Sequence, residues 1–334
     1  MAQRVLVRAA GLAACLAVLA TGCADPYAAP DRSGEGVTVT SCGRELSFPA
    51  TPERAVTLDQ TATETLLELG LAERMAGTSN LKVPIAPEYA ADYDTVPVLS
   101  EKLLTAEQLR AAAPDVVLAS FAAQYTPDRV GTREELAELG LPTFVSAVDC
   151  PRHHENRTAF DRLFADYETI GRIFGVEDRA ATLVDEQRAA VTRAERAGEN
   201  SAGEPTVLWL YSTFNGIPYV AGGTGLPAEL SRIVGARNAF DDVDEDWPEV
   251  SWERIAERDP DVIVVGDLSE RGAPGDSAEE KIAMMKEHPV VSQLRAVREN
   301  RIIEVPGIAM DPSVRSVDAL GLVVDGLRDL GHVR

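Results

Sequence analysis

The stretch TAEQLRAAAPDVVLAS at 105–120 recurs in its grammar as SWERIAERDPDVIVVGD at 251–267. Each runs hydroxyl residue, any residue, Glu, any residue, aliphatic, four spacers, then Pro-Asp-Val and an aliphatic run. Glu107 therefore precedes Pro114, and Glu253 precedes Pro260, by the same seven positions. The local physics is simple. Thr105 and Ser251 are helix N-caps, and Glu107 and Glu253 fall in the first turn, where a carboxylate favours the positive end of the dipole. Pro ends the helix and Asp-Val opens a buried strand. The dipole alone explains either carboxylate. Two copies of one helix–Pro–strand unit, 146 residues apart, imply two similar α/β modules with a matched pair of acids.

The rest of the chain fits that division. VTVTSCGRELSFP reads as a hairpin, RAVTLD as a buried strand, TETLLELG as a helix closed by Gly70, and RMAGTS as a strand before a Pro-rich loop at 83–98. The helix from Thr105, the strand DVVLAS, the helix TREELAELG and the strand TFVSAV follow. Over 156–198 the period becomes helical, with Leu163, Tyr167, Ile170 and Ile173, then more loosely Ala181, Leu183, Val184 and Val191. Alternation restarts with TVLWLYS, IPYVAGG, PAELSRIVG, the helix from Ser251, DVIVVGD, a helix from about Ala278, RIIEVP and a last helix ending near Gly331. The expected fold class is α/β: two lobes with parallel-type sheets, 37–155 and 199–334, joined by a helical connector at 156–198. A chain of 334 residues also exceeds one comfortable core.

Arg4 and Arg8 precede the apolar run AAGLAACLAVLA, which stops at TGC and is too short to be a permanent span. This predicts a signal peptide over 1–22. LATGC resembles the lipobox of bacterial lipoproteins, which implies cleavage before Cys23, acylation of its thiol by palmitate-type chains, and anchoring on the extracytoplasmic face of the cell membrane. Ordinary cleavage at a small-residue site is the alternative. Residues 23–36, rich in Pro, Gly, Ala and charge, read as a tether. With Cys15 in the signal and Cys23 acylated, Cys42 and Cys150 remain as one disulfide pair in an oxidising space. Closing so long a loop is worth on the order of 4 to 5 kcal/mol in the chain-entropy picture. A formal charge of −22, from 54 acids against 32 Lys and Arg, argues against nucleic acid.

PERAVTLDQTATETLLELGLAERMAGTS, LRAAAPDVVLAS, DPDVIVV and HPVVSQLRAVRENRIIEVP, in this order and spacing, give the chain its resemblance to a known family. It resembles the substrate-binding lipoproteins of ABC importers, in the class with a helical inter-lobe connector that carries iron-siderophore complexes, haem or cobalamin. The resemblance implies two Rossmann-like lobes, no enzyme activity and no intrinsic cofactor. Its implied partners are a permease dimer with cytoplasmic ATPases, and its ligand is an iron(III)-siderophore-type chelate. Cobalamin or another corrinoid, haem and a deazaflavin-cofactor precursor are the alternatives. The last is suggested because LSEKLLTAEQL, the Cys150 loop and VRSVDAL are similar to an actinobacterial subgroup linked to that precursor. The resemblance also implies that Glu107 and Glu253 pair with Arg residues on the two permease subunits.

The same resemblance, and the general habit of open α/β sheets, put the ligand between the lobes at the C-terminal ends of strands. That rim is expected to hold Gln60, Thr61, Ser79, Asn80, Ser120, Gln124 and Tyr125 from the first lobe. Tyr211, Ser212, Phe214, Asn215, Tyr219, Asp267, Met310 and Arg315 are expected from the second. Rings supply area for a large, partly apolar chelate and polar groups fix its orientation.

Direct metal capture fits poorly, since His153 and His154 are adjacent and His288 and His332 are remote. An axial haem ligand at His154, opposed by Tyr211 or Tyr219, is the one histidine role kept in view. Gly223, Gly225 and Ala228 form a GxGxxA match, but without a complete mononucleotide-binding unit around it the glycines read as a tight turn into a helix that offers amides to a ligand. An exported α/β enzyme is the alternative of another class. No GxSxG, Walker loop or HExxH supports it.

Overall fold

The computed structural model describes residues 36–333, so the signal over 1–22, the Cys23 acylation site and all but the last position of the tether over 23–36 lie outside the described residues. The chain opens with the antiparallel pair β1 (Val37–Ser41) and β2 (Arg44–Phe48), whose register sets Val39 opposite Leu46. β3 (Ala55–Thr57), α1 (Gln60–Glu68), β4 (Met75–Ser79), α2 (Ala90–Tyr93), β5 (Val98–Ser100), α3 (Ala106–Ala112), β6 (Val116–Ala119), α4 (Arg133–Glu138) and β7 (Thr143–Val145) follow. Their five strands form an all-parallel sheet in the order β5-β4-β3-β6-β7. β3, β6 and β7 are buried throughout, which is why they read as unbroken apolar runs. The strand expected over TFVSAV is shorter than its apolar run, because the Ser146 hydroxyl accepts the Val148 amide and turns the chain into a 3₁₀ segment.

The helical stretch is two antiparallel helices, α5 (Ala159–Phe174) and α6 (Glu177–Gly198), separated at Gly175 with φ 68°. α5 buries Leu163, Tyr167, Ile170 and Ile173, as their spacing predicts, together with Phe160, Phe164 and Phe174. Ala181 of α6 instead faces solvent and Ala180 is buried, a one-position shift in a looser pattern. These helices share one continuous apolar core with side chains of both lobes, among them Leu66, Phe144, Trp209, Leu230 and Leu327. Each such large side chain is worth roughly 1.5–3 kcal/mol when buried.

The second lobe contains β8 (Thr206–Ser212), β9 (Tyr219–Val220), α7 (Leu226–Ile233), β10 (Arg237–Asn238), α8 (Trp252–Arg258), β11 (Val262–Asp267), α9 (Ala278–Glu287), α10 (Arg295–Arg298), β12 (Ile302–Pro306) and α11 (Ser316–Asp329). β10-β8-β11-β12 are parallel, while β9 pairs antiparallel with β8. The fold is thus two α/β lobes and a helical connector, with one strand running against the parallel sheet.

The repeated unit adopts the same structure twice. Thr105 accepts the Gln108 amide and Ser251 accepts the Arg254 amide. The helices end one residue before Pro in left-handed Ala113 and Asp259, at φ 45° and 41°. The Asp after each Pro then fastens the strand to its neighbour: Asp115 accepts the Glu53 and Arg54 amides at 2.7 and 3.0 Å, and Asp261 accepts the Thr206 amide at 3.0 Å. β3 beside β6 and β8 beside β11 are the equivalent central pairs.

Candidate ligand cleft

The first lobe turns the C-terminal ends of β3, β4 and β6 toward the second lobe, but most of the hydroxyls expected there are used internally. Asp59 caps α1 through the Ala62 amide at 2.9 Å and also accepts the Thr61 hydroxyl at 3.0 Å, the Ser120 amide at 2.7 Å and the Ser120 hydroxyl at 2.9 Å. Thr61 and Ser120 are consequently buried. Ser79 is buried with its hydroxyl 3.4 Å from the Thr57 carbonyl. The Tyr125 hydroxyl lies 3.0 and 2.9 Å from the Val117 and Phe144 carbonyls, in the core, and burial raises its pKa. In the second lobe Ser212 donates to Asp276 at 2.7 Å and Met310 is buried under β11. These six side chains shape the walls of the seam rather than line it. Ser120 and Ser212 bond to Asp59 and Asp276, more than 60 positions away in sequence, so strand-end position alone did not reveal their internal use.

The other expected residues have local roles of their own. Gln60 accepts the Lys82 and Val83 amides, both at 3.0 Å, and so positions the following loop. Asn80 turns the chain in the left-handed region at φ 55°. The Gln124 amide oxygen accepts Arg129 at 3.3 Å. Phe214 and Asn215 belong to a short turn, with Asn215 exposed. The Tyr219 hydroxyl donates to the Glu249 carboxylate. Asp267 accepts the Ser269 and Ala278 amides, each at 3.1 Å.

Two charged bridges cross the seam. Lys82 Nζ, on the loop after β4, donates to Asp311 Oδ2 at 2.7 Å and to the Tyr211 hydroxyl at 2.8 Å. It lies 5.4 Å from the Tyr211 ring centre and 5.8 Å from that of Phe121, and Tyr211 packs at 4.7 Å on Trp247. Burial opposes the Lys82 ammonium, but Asp311 and Tyr211 more than offset this and hold its pKa above the usual lysine value. Burial and Asp311 also raise Tyr211. Arg315 forms the second bridge, bidentate to Glu64 with Nε 2.7 Å from Oε2. Glu64 and Asp311 are both buried, so each needs its cation.

Beside these bridges lies a cavity of about 370 Å³. Val83 and Pro84 of the first lobe face Asp267, Pro306, Ile308 and Arg315 of the second across it. Of the expected rim, Asp267, Arg315 and Tyr211 are therefore at the seam. Lys82, Glu64, Phe121, Trp247 and Asp311 were not anticipated. A signal for Lys82 existed: the chain has only four lysines among 32 basic residues, and this one follows a strand end.

Glu107 and Glu253 are exposed at equivalent first-turn positions of α3 and α8. A backbone amide and the Ser251 hydroxyl hold Glu253 below the usual carboxylate range. The structure joins Cys42 to Cys150, with Cα atoms 5.7 Å apart, tying the first hairpin to the chain just before the connector. His154 lies in the adjoining loop, its pKa lowered by burial and by Arg157 and Arg162. Among the described residues no three His, Cys, Asp or Glu side chains gather as a metal site. Of the GxGxxA glycines Gly223 has a steric reason, since a Cβ there would lie 2.4 Å from the Asp241 carbonyl oxygen, whereas Gly225 has room for one. Among the described residues no helix is long and apolar enough to cross a membrane.

Comparison with known proteins agrees with this architecture. The periplasmic binding protein family model matches residues 56–309, about three quarters of the chain. A solved periplasmic binding protein from Veillonella parvula superposes with TM-score 0.77 at 26% identity, covering 88% of this chain and 98% of that one. The structure described as an ABC-type Fe3+-hydroxamate transport system from Saccharomonospora viridis has TM-score 0.73 and 29% identity, covering 87% and 98%. A cobalamin-binding protein of Halobacterium salinarum is 27% identical over 75% of this chain, which spans 61% of that relative's length. A vitamin B12-binding protein of Yersinia pseudotuberculosis is 28% identical over 66% of this chain and 72% of its own. With its two lobes, its seam and this match, the chain belongs to the periplasmic binding protein family, whose members bind ligands for transport rather than catalyse reactions.

Proposed function

We propose that this protein is the extracytoplasmic substrate-binding component of an ABC importer, capturing a ferric siderophore-type chelate between its lobes and delivering it to a membrane permease. The observation that carries this reading is the seam: a cation near the aromatic rings of Phe121 and Tyr211, the latter packed on Trp247, beside a cavity shared by both lobes. Rings offer area to a large planar or partly apolar complex, and Lys82 offers charge to an anionic group on it. The Fe3+-hydroxamate relative supports a ferric ligand. The names of the two curated relatives support a corrinoid as the second reading.

Glu107 and Glu253 are the proposed docking points for Arg residues on two matching permease subunits, and Cys23 the proposed lipid attachment. The lobe limits at 155 and 198 and the absence of an intrinsic cofactor belong to the same proposal.

Tryptophan fluorescence tests the ligand class, because Trp247 stacks on Tyr211 at the seam. Ferric hydroxamate and ferric catecholate complexes, haemin, cobinamide and a deazaflavin precursor are titrated in turn. Saturable quenching at one equivalent is expected with a ferric chelate, and quenching by cobinamide alone would favour the corrinoid. No saturable response to any of them would overturn the cleft assignment.

A further inference from the structure

A second cavity, of about 430 Å³, lies where the connector meets the second lobe and shares no lining residue with the seam cavity. Two helix N-termini reach it. α5 contributes Thr158 and Ala159, and α7 contributes Gly225 and Ala228, with no side chain capping α7 at Gly225. Both present the positive end of a helix dipole.

Its side chains carry net positive charge within a chain of formal charge −22. Arg157, Arg162, Arg232 and Arg237 line it against Glu204, Glu229 and Asp241. Glu229 is taken by Arg232 at 2.6 Å, and Asp241 faces Arg237 at 3.8 Å. Arg157 and Arg162 are left with Glu204 as the remaining acid.

Arg162 is the decisive group. It is 7% exposed, its Nη1 donates to the Arg157 carbonyl at 2.7 Å, and its buried Nε has no acceptor. Among the described residues it forms no ion pair. Burial lowers its pKa, and Asp246, Glu229, Asp166 and Asp161 counter this only in part. A buried guanidinium without an anion is costly.

Asn238 adds a complementary requirement. It is 3% exposed, and its amide nitrogen donates to the Ala221 and Gly222 carbonyls at 3.0 and 2.8 Å. Those two acceptors fix the amide orientation, leaving Oδ1 as a buried acceptor without a donor. Among the described residues, then, carboxylates act on Arg162 only from beyond ion-pair distance, its Nε has no acceptor, and Asn238 Oδ1 has no donor.

We propose that this pocket binds a phosphate-class oxyanion that retains a proton, with Arg157 and Arg162 taking its charge and Asn238 accepting its hydroxyl. The site is independent of the cleft reading and fastens the connector to the second lobe. Hydrogen phosphate and a phosphate-monoester headgroup share this chemistry, whereas fully ionised sulfate lacks the hydrogen.

Calorimetric titration of the purified protein with inorganic phosphate at pH 6 and low ionic strength, against sulfate and with phosphatidic acid vesicles in parallel, tests the site. One equivalent of phosphate is expected to bind at least tenfold more tightly than sulfate. Both Arg162→Gln and the exposed-site variant Arg157→Glu are expected to weaken it at least tenfold; the latter keeps the test valid if the former fails to fold. Retention on phosphatidic acid vesicles without binding of free phosphate, again lost in Arg157→Glu, would assign the ligand as a headgroup. Absence of both, equal affinity for sulfate, or binding untouched in Arg157→Glu would overturn the proposal.

Discussion

Single buried charges govern how the seam and its supports behave. Asp166, on α5 of the connector, accepts the Ser146 hydroxyl at 2.7 Å and the Ala147 amide at 3.0 Å, at the end of β7. Burial nevertheless pushes its carboxyl up to about 7 from 3.8, against those hydrogen bonds and Arg162. In this window the folded chain holds a proton that the unfolded chain has released. The contribution to stability is thus fully present below pH 3.8 and is lost as pH rises through about 7. The difference amounts to at most roughly 4 kcal/mol. Calorimetric melting of wild type and Asp166→Asn from pH 4 to 8 should show the variant gaining on wild type as pH rises. Parallel profiles would contradict this account. Neither the burial of Asp166 nor the ion pair of the partly buried Lys82 was readable from sequence, since a local pattern contains no information about partners such as Asp311, 229 positions away.

Elements were far more legible than sites. Buried parallel strands are continuous apolar runs, helices carry their caps as Thr, Ser or Gly at the ends, and the duplicated unit appears in both lobes with the same left-handed stop before Pro. What escaped notice was short, β10 with two residues and α2 with four, and IPYVAGG carried no sign that its strand β9 turns back along β8. Such pieces bury too little to leave a periodic signal. The matched Asp115 and Asp261 show that part of the repeat is structural, a clamp on the neighbouring strand. Glu107 and Glu253 have no comparable internal duty beyond the helix dipole, and both face solvent. Replacing both by Arg is expected to abolish ligand uptake by cells while ligand affinity stays within twofold. Unchanged uptake would remove the docking role.

At the scale of the whole molecule, the two lobes share one apolar core through α5 and α6, and across the seam they are held by Lys82 to Asp311 and Tyr211 and by Arg315 to Glu64. A guest entering between the lobes must part at least one bridge and give its cation another acceptor, because an ammonium or guanidinium left unpaired in that setting is unfavourable. Lys82, ringed by Phe121 and Tyr211, is the bridge built to be exchanged, while bidentate Arg315 keeps its buried Glu64. The most direct measurement is a crystal structure of the protein with the ferric chelate that quenches its tryptophan. The predicted result is a chelate in the seam touching Lys82 and Tyr211, with the Lys82–Asp311 contact lengthened or replaced. A chelate bound on an outer surface, with both cross-lobe bridges intact, would contradict the account.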